Sequence, residues 1–465
     1  MPSMTSVKYS NKKFRKIFMI SGIAVAAVVL VSVGIWFLIR NGVFYKKEDT
    51  AGNDYSMSTE MSHVISESAI HKGYMFSRTT KLLSEDRKTE PWVLSWYVIP
   101  GTTRSVPAME SAYVDTFDQI LLLESYILEG KRSKADALID AINQSLTDES
   151  GLLLSFRKAD DLINNDREKE EPGLPYEDPS FLLLEESPVS MKASTRYLRA
   201  LLDYYDKWGS SKQLERIETL AEKIFSAGEM SSYRSADQAA MPTPIPVTEK
   251  SLVTPFPEDE GSRENGETED GERSKLIEMT GIELSSLDLD ALRRASVLLP
   301  KYQSRYEEMV SVVKEGKISR DLPLYAWTYS EEGGYMYYTG SAGDVELVPS
   351  LYVMVYLAEI GQLDTDGYAW VSEQLYNTGF LYTSYTMMSG LASSDKEASE
   401  AYPLVMYLAL IKGDDDLFTA AYSAMMRQYA TLSTSPALYT FYRDVEDSRV
   451  AVYARENLLA ELFIK

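Results

Sequence analysis

One unit recurs along this chain: two helices joined by a tight turn. Five copies are legible. Segment 108–129 passes through Gly130 into 132–146, and 189–208 turns at Gly209 into 212–227. Segment 288–299 turns at Pro300 into 302–314, and 345–360 turns at Gly361 into 365–377. Segment 396–411 turns at Gly413 into 414–430. The first helix of each pair is apolar around most of its circumference. The second carries a stripe, as in Leu214, Ile217, Leu220, Ala221 and Ile224. A helix apolar all round is buried, and a striped one faces solvent on one side. Each pair therefore supplies an inner and an outer helix. Repetition of one supersecondary unit means a solenoid or a closed ring. Segment 446–463 lacks a following partner and 57–83 lacks a preceding one. Packed together they supply a sixth pair and close the ring. The predicted fold is all-α, an (α/α)6 toroid of six helical hairpins spanning 56–465.

Short extended runs rich in Tyr and Leu precede the inner helices, at 92–97, 151–156, 334–338, 379–385 and 437–442. Residues 237–275 break the rhythm. Prolines from Pro242 to Pro257 give way to a stretch of Glu, Asp, Gly and Asn, too poor in apolar residues to bury a core. The expectation is a disordered insertion between two hairpins. Residues 159–187 read as a shorter acidic loop.

The N-terminus predicts a membrane anchor. Lys8, Lys12, Lys13, Arg15 and Lys16 precede 23 residues, 17–39, without a charge. About 20 apolar residues cross a bilayer as a helix. Ala24-Val25-Ala26 lies inside the apolar run and Asn41-Gly42-Val43-Phe44 is a poor cleavage site, so the segment reads as an uncleaved signal-anchor. The positive-inside rule puts 1–16 in the cytoplasm and, after a linker at 40–55, the large C-terminal domain outside the cell. That outer part keeps 41 basic against 70 acidic residues, a net charge of −29. Such a surface excludes nucleic acid, whose phosphates need Lys and Arg. It also excludes lying flat on anionic lipid; the expected bilayer contact is the N-terminal helix alone. The chain has no Cys and two His, His63 and His71. Disulfides, thiolate chemistry and a His-based metal site are therefore not expected, and no cofactor is.

In an (α/α)6 ring the extended runs and the starts of the inner helices gather at one end. The acids available there are Glu110 and Asp115, Asp344 and Glu346, Glu397 and Glu400, and Asp444, Glu446 and Asp447. Trp96, Tyr97, Trp327, Tyr335, Tyr338, Tyr382 and Tyr385 lie on the runs lining the same end. Glycoside hydrolysis needs one carboxylic acid to protonate the leaving oxygen, a carboxylate to activate water, and aromatic faces for the sugars. Trp96, Tyr113, Trp327, Tyr338, Tyr385 and Glu346 are the expected substrate contacts. Any single acid in a first helical turn also has a plainer use, capping the helix and offsetting its dipole.

Two stretches resemble glycoside hydrolase family 8: Val106-Pro107-Ala108-Met109-Glu110-Ser111-Ala112-Tyr113, and Gly343-Asp344-Val345-Glu346-Leu347-Val348-Pro349-Ser350-Leu351-Tyr352. That family contains cellulases, chitosanases, lichenases and xylanases on this toroid. The resemblance implies Glu110 as general acid and Asp344 as general base of an inverting reaction. The sequence departs from the family where Ala112-Tyr113-Val114-Asp115 replaces a Gly-Tyr-Gly-Met-like run. It departs again where Met191-Lys192-Ala193-Ser194 replaces an Asp-Ala-Asp. Two functions fit. One is a membrane-tethered glycosidase acting on a cell-surface or exported polysaccharide. The other is an inactive toroid that binds a glycan or serves a polysaccharide synthase or export complex.

Overall fold

The computed structural model describes residues 52–53, 55–68, 70, 72–99, 109–163, 186–235, 239–245, 276–340, 344–445 and 449–464. The predicted membrane span and the tail before it lie outside these residues. No helix among the described residues is long and apolar enough to cross a membrane.

Five antiparallel hairpins follow the predicted pairs: α3 (Thr116–Leu128) with α4 (Arg132–Ser145), α5 (Met191–Trp208) with α6 (Ser211–Ser226), α7 (Leu289–Leu298) with α8 (Gln303–Glu315), α9 (Leu347–Glu359) with α10 (Thr365–Thr378), and α11 (Ala401–Lys412) with α12 (Asp415–Met426). Segment 57–83 is not one helix. It forms α1 (Thr59–Glu67) and α2 (Lys72–Thr80), the latter running on into a π turn at Lys81–Glu85. Helix α2 packs on the last helix, α13 (Ala454–Ile464), and α1 on α12. The inner helices close a ring: α3 on α5, α5 on α7, α7 on α9, α9 on α11, α11 on α13, and α13 back on α3. One continuous apolar core follows that ring.

Local chemistry sets the helix ends. Asp115, Ser190, Asp288, Asp364 and Asp414 each accept a hydrogen bond from the backbone N–H three residues on. This satisfies a donor that the first turn leaves open. At the end of α5, Gly209 takes φ 62°, a left-handed conformation costly for other residues, and its N–H bonds Tyr205 O at 2.8 Å.

Several helices start later than their apolar pattern predicts, because short strands lead into them. Strand β3 (Tyr113–Asp115) runs into α3 and pairs with β4 (Phe156–Lys158), so α3 does not begin at 108. Strand β10 (Asp344–Glu346) runs into α9 and pairs with β11 (Ser384–Thr386). Strand β13 (Arg449–Tyr453) runs into α13 and sits between β12 (Arg443–Val445) and β1 (Trp96–Ile99), which also pairs with β2 (Met109–Glu110). Tyr and Val favour a pleated, half-buried surface, and apolar residues at such a junction carry no helical period to mark where it starts.

The expected disorder of 237–275 is corrected at its near end. Strands β5 (Met230–Ser235), β6 (Ala239–Ile245), β7 (Leu276–Glu283), β8 (Thr328–Ser330) and β9 (Gly334–Gly340) form one sheet in the order β5-β7-β8-β9-β6. Two of the prolines that argued against structure, Pro242 and Pro244, sit on its edge strand. Pro242 falls in the register shift between Ala240 and Thr243, where a missing N–H disturbs the ladder least. Residues 246–275 lie outside the described ones.

Candidate active site at the mouth of the ring

The strands that lead into the inner helices form the rim of one end of the ring, where the helix N-termini converge. Glu110 lies on β2 opposite Tyr97. Its carboxylate is half-buried, and Arg87 approaches it at 3.9 Å. A cation thus stands beside Glu110, where the sequence suggested a crowd of carboxylates. Asp344 lies on β10 opposite Thr386. Its Oδ1 is buried and accepts no hydrogen bond among the described residues. Glu346 takes the N-cap position of α9 in an extended backbone conformation. The other acids expected at the mouth divide. Glu397 is tied to Arg427 at 2.7 Å and to the Tyr402 hydroxyl. Asp444 is exposed on β12. Glu446 and Asp447 lie outside the described residues.

Below the rim, residues at or near the N-termini of five inner helices meet. Arg455, the second residue of α13, reaches Asp115 at 2.9 Å and Asp118 at 2.9 Å. The Tyr352 hydroxyl donates to Glu400 at 2.8 Å. Lys192, the second residue of α5, lies 4.1 Å from the ring centre of Tyr352 and 4.9 Å from that of Phe117, distances at which a ring face attracts a cation. Burial pushes the Asp118 carboxyl up to about 7; Arg455 opposes the shift, and Asp115 and Glu400 add to it. Sequence reasoning found Asp115 and Glu400 but missed Arg455, Lys192 and Asp118.

Deeper along the axis, Arg199 makes two bonds to Asp288, at 2.6 and 2.5 Å, and two to Glu359, at 2.7 and 2.5 Å. Arg196 bonds Glu124 at 2.6 Å. Tyr407 donates to Glu359 at 2.8 Å. These groups join α3, α5, α7, α9 and α11 and fill the axis with paired charge. A signal for them is present in the sequence. Lys192, Arg196 and Arg199 recur at spacings of four and three, which puts three cations on one face of an otherwise buried helix.

Most of the aromatic side chains expected to line the mouth do not. Trp96 is 5% exposed and packs with Val98, Ala451 and Tyr453. Trp327 is 5% and Tyr385 0% exposed. Tyr385 abuts the Trp370 ring edge-on at 4.8 Å, and its hydroxyl accepts from the Tyr382 N–H. Alternation turned these large side chains inward, where they bury more area than at a rim. Tyr113 is half-buried, edge-on to Phe156 at 5.2 Å. The side chain of Tyr338 lies outside the described ones. Among the described residues, no group of three or more acidic or His side chains is placed to hold a metal ion.

Fold and site together define a six-hairpin α-toroid with carboxylates at its mouth, the class implied by the family 8 resemblance. No family model and no curated protein matches the sequence. Among solved structures, a novel alpha-amylase from Clostridium perfringens matches 85% of this chain and 98% of its own at 19% identity and a TM-score of 0.59. A family 8 enzyme of Teredinibacter turnerae, solved with xylobiose, matches 88% of this chain and 96% of its own at 10% identity and TM-score 0.49. PssZ of Listeria monocytogenes matches 89% and 97% at 9% identity and TM-score 0.47. At 19% identity and a TM-score of 0.59, the likeness to the Clostridium perfringens structure is one of fold.

Proposed function

We propose that this protein is a membrane-tethered, extracytoplasmic glycoside hydrolase that cleaves β-linked sugars of a cell-surface or exported polysaccharide with inversion. The observation that supports the reading is that Asp344 lies on β10, which runs into α9, and Glu110 on β2, just before the strand β3 that runs into α3. In this mechanism Asp344 draws a proton from a water that attacks the anomeric carbon. Its buried Oδ1, which accepts no hydrogen bond among the described residues, is the atom that takes that proton in this reading. Glu110 protonates the departing glycosidic oxygen from the other face of the sugar. An inverting pair stands roughly 6.5–9.5 Å apart to admit the water. Tyr113 and Glu346 are the sequence-predicted contacts that keep partial exposure at the rim.

One observation favours the second reading, a toroid that binds glycan without cutting it. Lys192 stands where the resemblance implies a sugar-distorting carboxylate. A panel of β-glucans, xylans and chitosans separates the two. Cleavage of one polymer supports the hydrolase. Binding without cleavage supports the glycan-binding toroid.

A further inference from the structure

Residues 52–53 and 55–58, the first described ones of the chain, lie against the end of the ring opposite the mouth. Asn53 Nδ2 donates to the backbone oxygen of Glu359 at 2.8 Å, and the Tyr55 hydroxyl donates to the same oxygen at 3.3 Å. Glu359 is the last residue of α9, where helix carbonyls have no partner within the helix. The Tyr55 ring meets Tyr407 edge-on at 6.1 Å, and Tyr407 stacks on Phe463 at 4.3 Å near the end of α13. A Cβ on Gly52 would come within 3.2 Å of Arg294 Nη1 and 3.6 Å of Asp203 Oδ1. Ser58 Oγ donates to Asp415 at the start of outer helix α12 at 2.5 Å. Glu359, Phe463 and Asp415 lie at the closed end, where inner helices finish and outer ones begin, and Tyr407, Arg294 and Asp203 lie a turn or more inside it. The mouth lies about 20 Å away along α9, at 1.5 Å per residue.

We infer that Gly52, Asn53, Tyr55 and Ser58 strap the closed end of the ring to the N-terminal side of the chain, so that the mouth faces away from the bilayer. The inference rests on the tethered reading above. The strap meets the ring close to its axis. To turn the mouth toward the membrane, the chain must cross an inner and an outer helix, roughly 20 Å at about 10 Å per helix. It must then climb the ring's height, roughly another 20 Å. Residues 40–51 reach about 40 Å fully stretched, so that orientation leaves the linker no slack. The substrate class that fits is polymer already clear of the membrane.

The chain has no Cys, so single labels can be placed freely. Gln362→Cys marks the closed-end turn after α9. Met388→Cys marks the loop beyond β11, which extends outward past Asp344. The full-length protein is reconstituted in liposomes carrying a lipid-attached energy acceptor. The label at 362 is expected to be quenched strongly and that at 388 weakly, and Asn53→Ala with Tyr55→Ala should shrink the difference. Equal quenching, or stronger quenching at 388, overturns the orientation. A difference untouched by the double variant overturns the strap as its cause. If the protein does not float with liposomes, the tethered reading fails, and amide exchange then judges the strap alone. Loss of two hydrogen bonds should speed exchange in the last turn of α9 by roughly tenfold; unchanged exchange overturns the strap.

Discussion

Asp118 shows how the mouth couples to pH. Its carboxyl is raised to about 7 by burial from an ordinary 3.8, so the folded chain holds a proton that the unfolded chain releases near pH 4. The stabilisation from that proton is complete below pH 4 and is lost as pH rises through about 7. Asp118→Asn keeps the shape and removes the titration. Relative to the wild type it should gain stability between pH 4 and pH 8, with a ceiling of ~4 kcal/mol from 1.36 kcal/mol per pKa unit. Urea denaturation at both pH values measures this, and a gap that narrows with rising pH contradicts the assignment. Asp115 and Glu400 were legible in the sequence because an acid at a helix start is a capping pattern. Arg455 was not, because its partner Asp118 lies 337 residues away, and no local pattern announces a pair at that separation.

At the scale of elements, the axis ion network is the clearest determinant of ring geometry. Arg199 binds carboxylates on two other helices, Asp288 and Glu359. Arg199→Met leaves Glu359 without its cation and Asp288 with only Arg196, 3.9 Å away, and breaking a buried pair from one side costs about 3–5 kcal/mol. The expected result is a large drop in the denaturation midpoint; a change under about 1 kcal/mol would mean that these acids are satisfied without Arg199. Inner and outer helices were legible because Gly209, Gly361 and Gly413 punctuate an apolar pattern that switches from all-round to striped. The helix starts were not, because β3, β10 and β13 are three to five residues long and apolar or mixed, too short for an alternating period to stand out. The five-stranded sheet was hidden by Pro242 and Pro244, which read as breakers until β6 is seen to be an edge strand with a shifted register.

At the scale of the whole molecule, ring closure makes distant segments interdependent. Residues 246–275, rich in Pro, Glu and Gly, should be the first site of limited proteolysis. The two fragments should stay associated, because β6 pairs with β9 and the inner helices before and after the cut share one ring. Prompt separation of the fragments would contradict the closed ring. The catalytic account rests on two side chains within that ring. Wild type, Glu110→Gln and Asp344→Asn should therefore be compared on a β-linked polymer that the wild type cleaves, with the anomer formed followed by proton NMR early in the reaction. The account predicts inversion in the wild type, and unchanged polymer binding with turnover lower by about 10²-fold or more in each variant, the usual worth of general acid–base catalysis. Cleavage by Glu110→Gln or Asp344→Asn at the wild-type rate, or products with retained configuration, would contradict it.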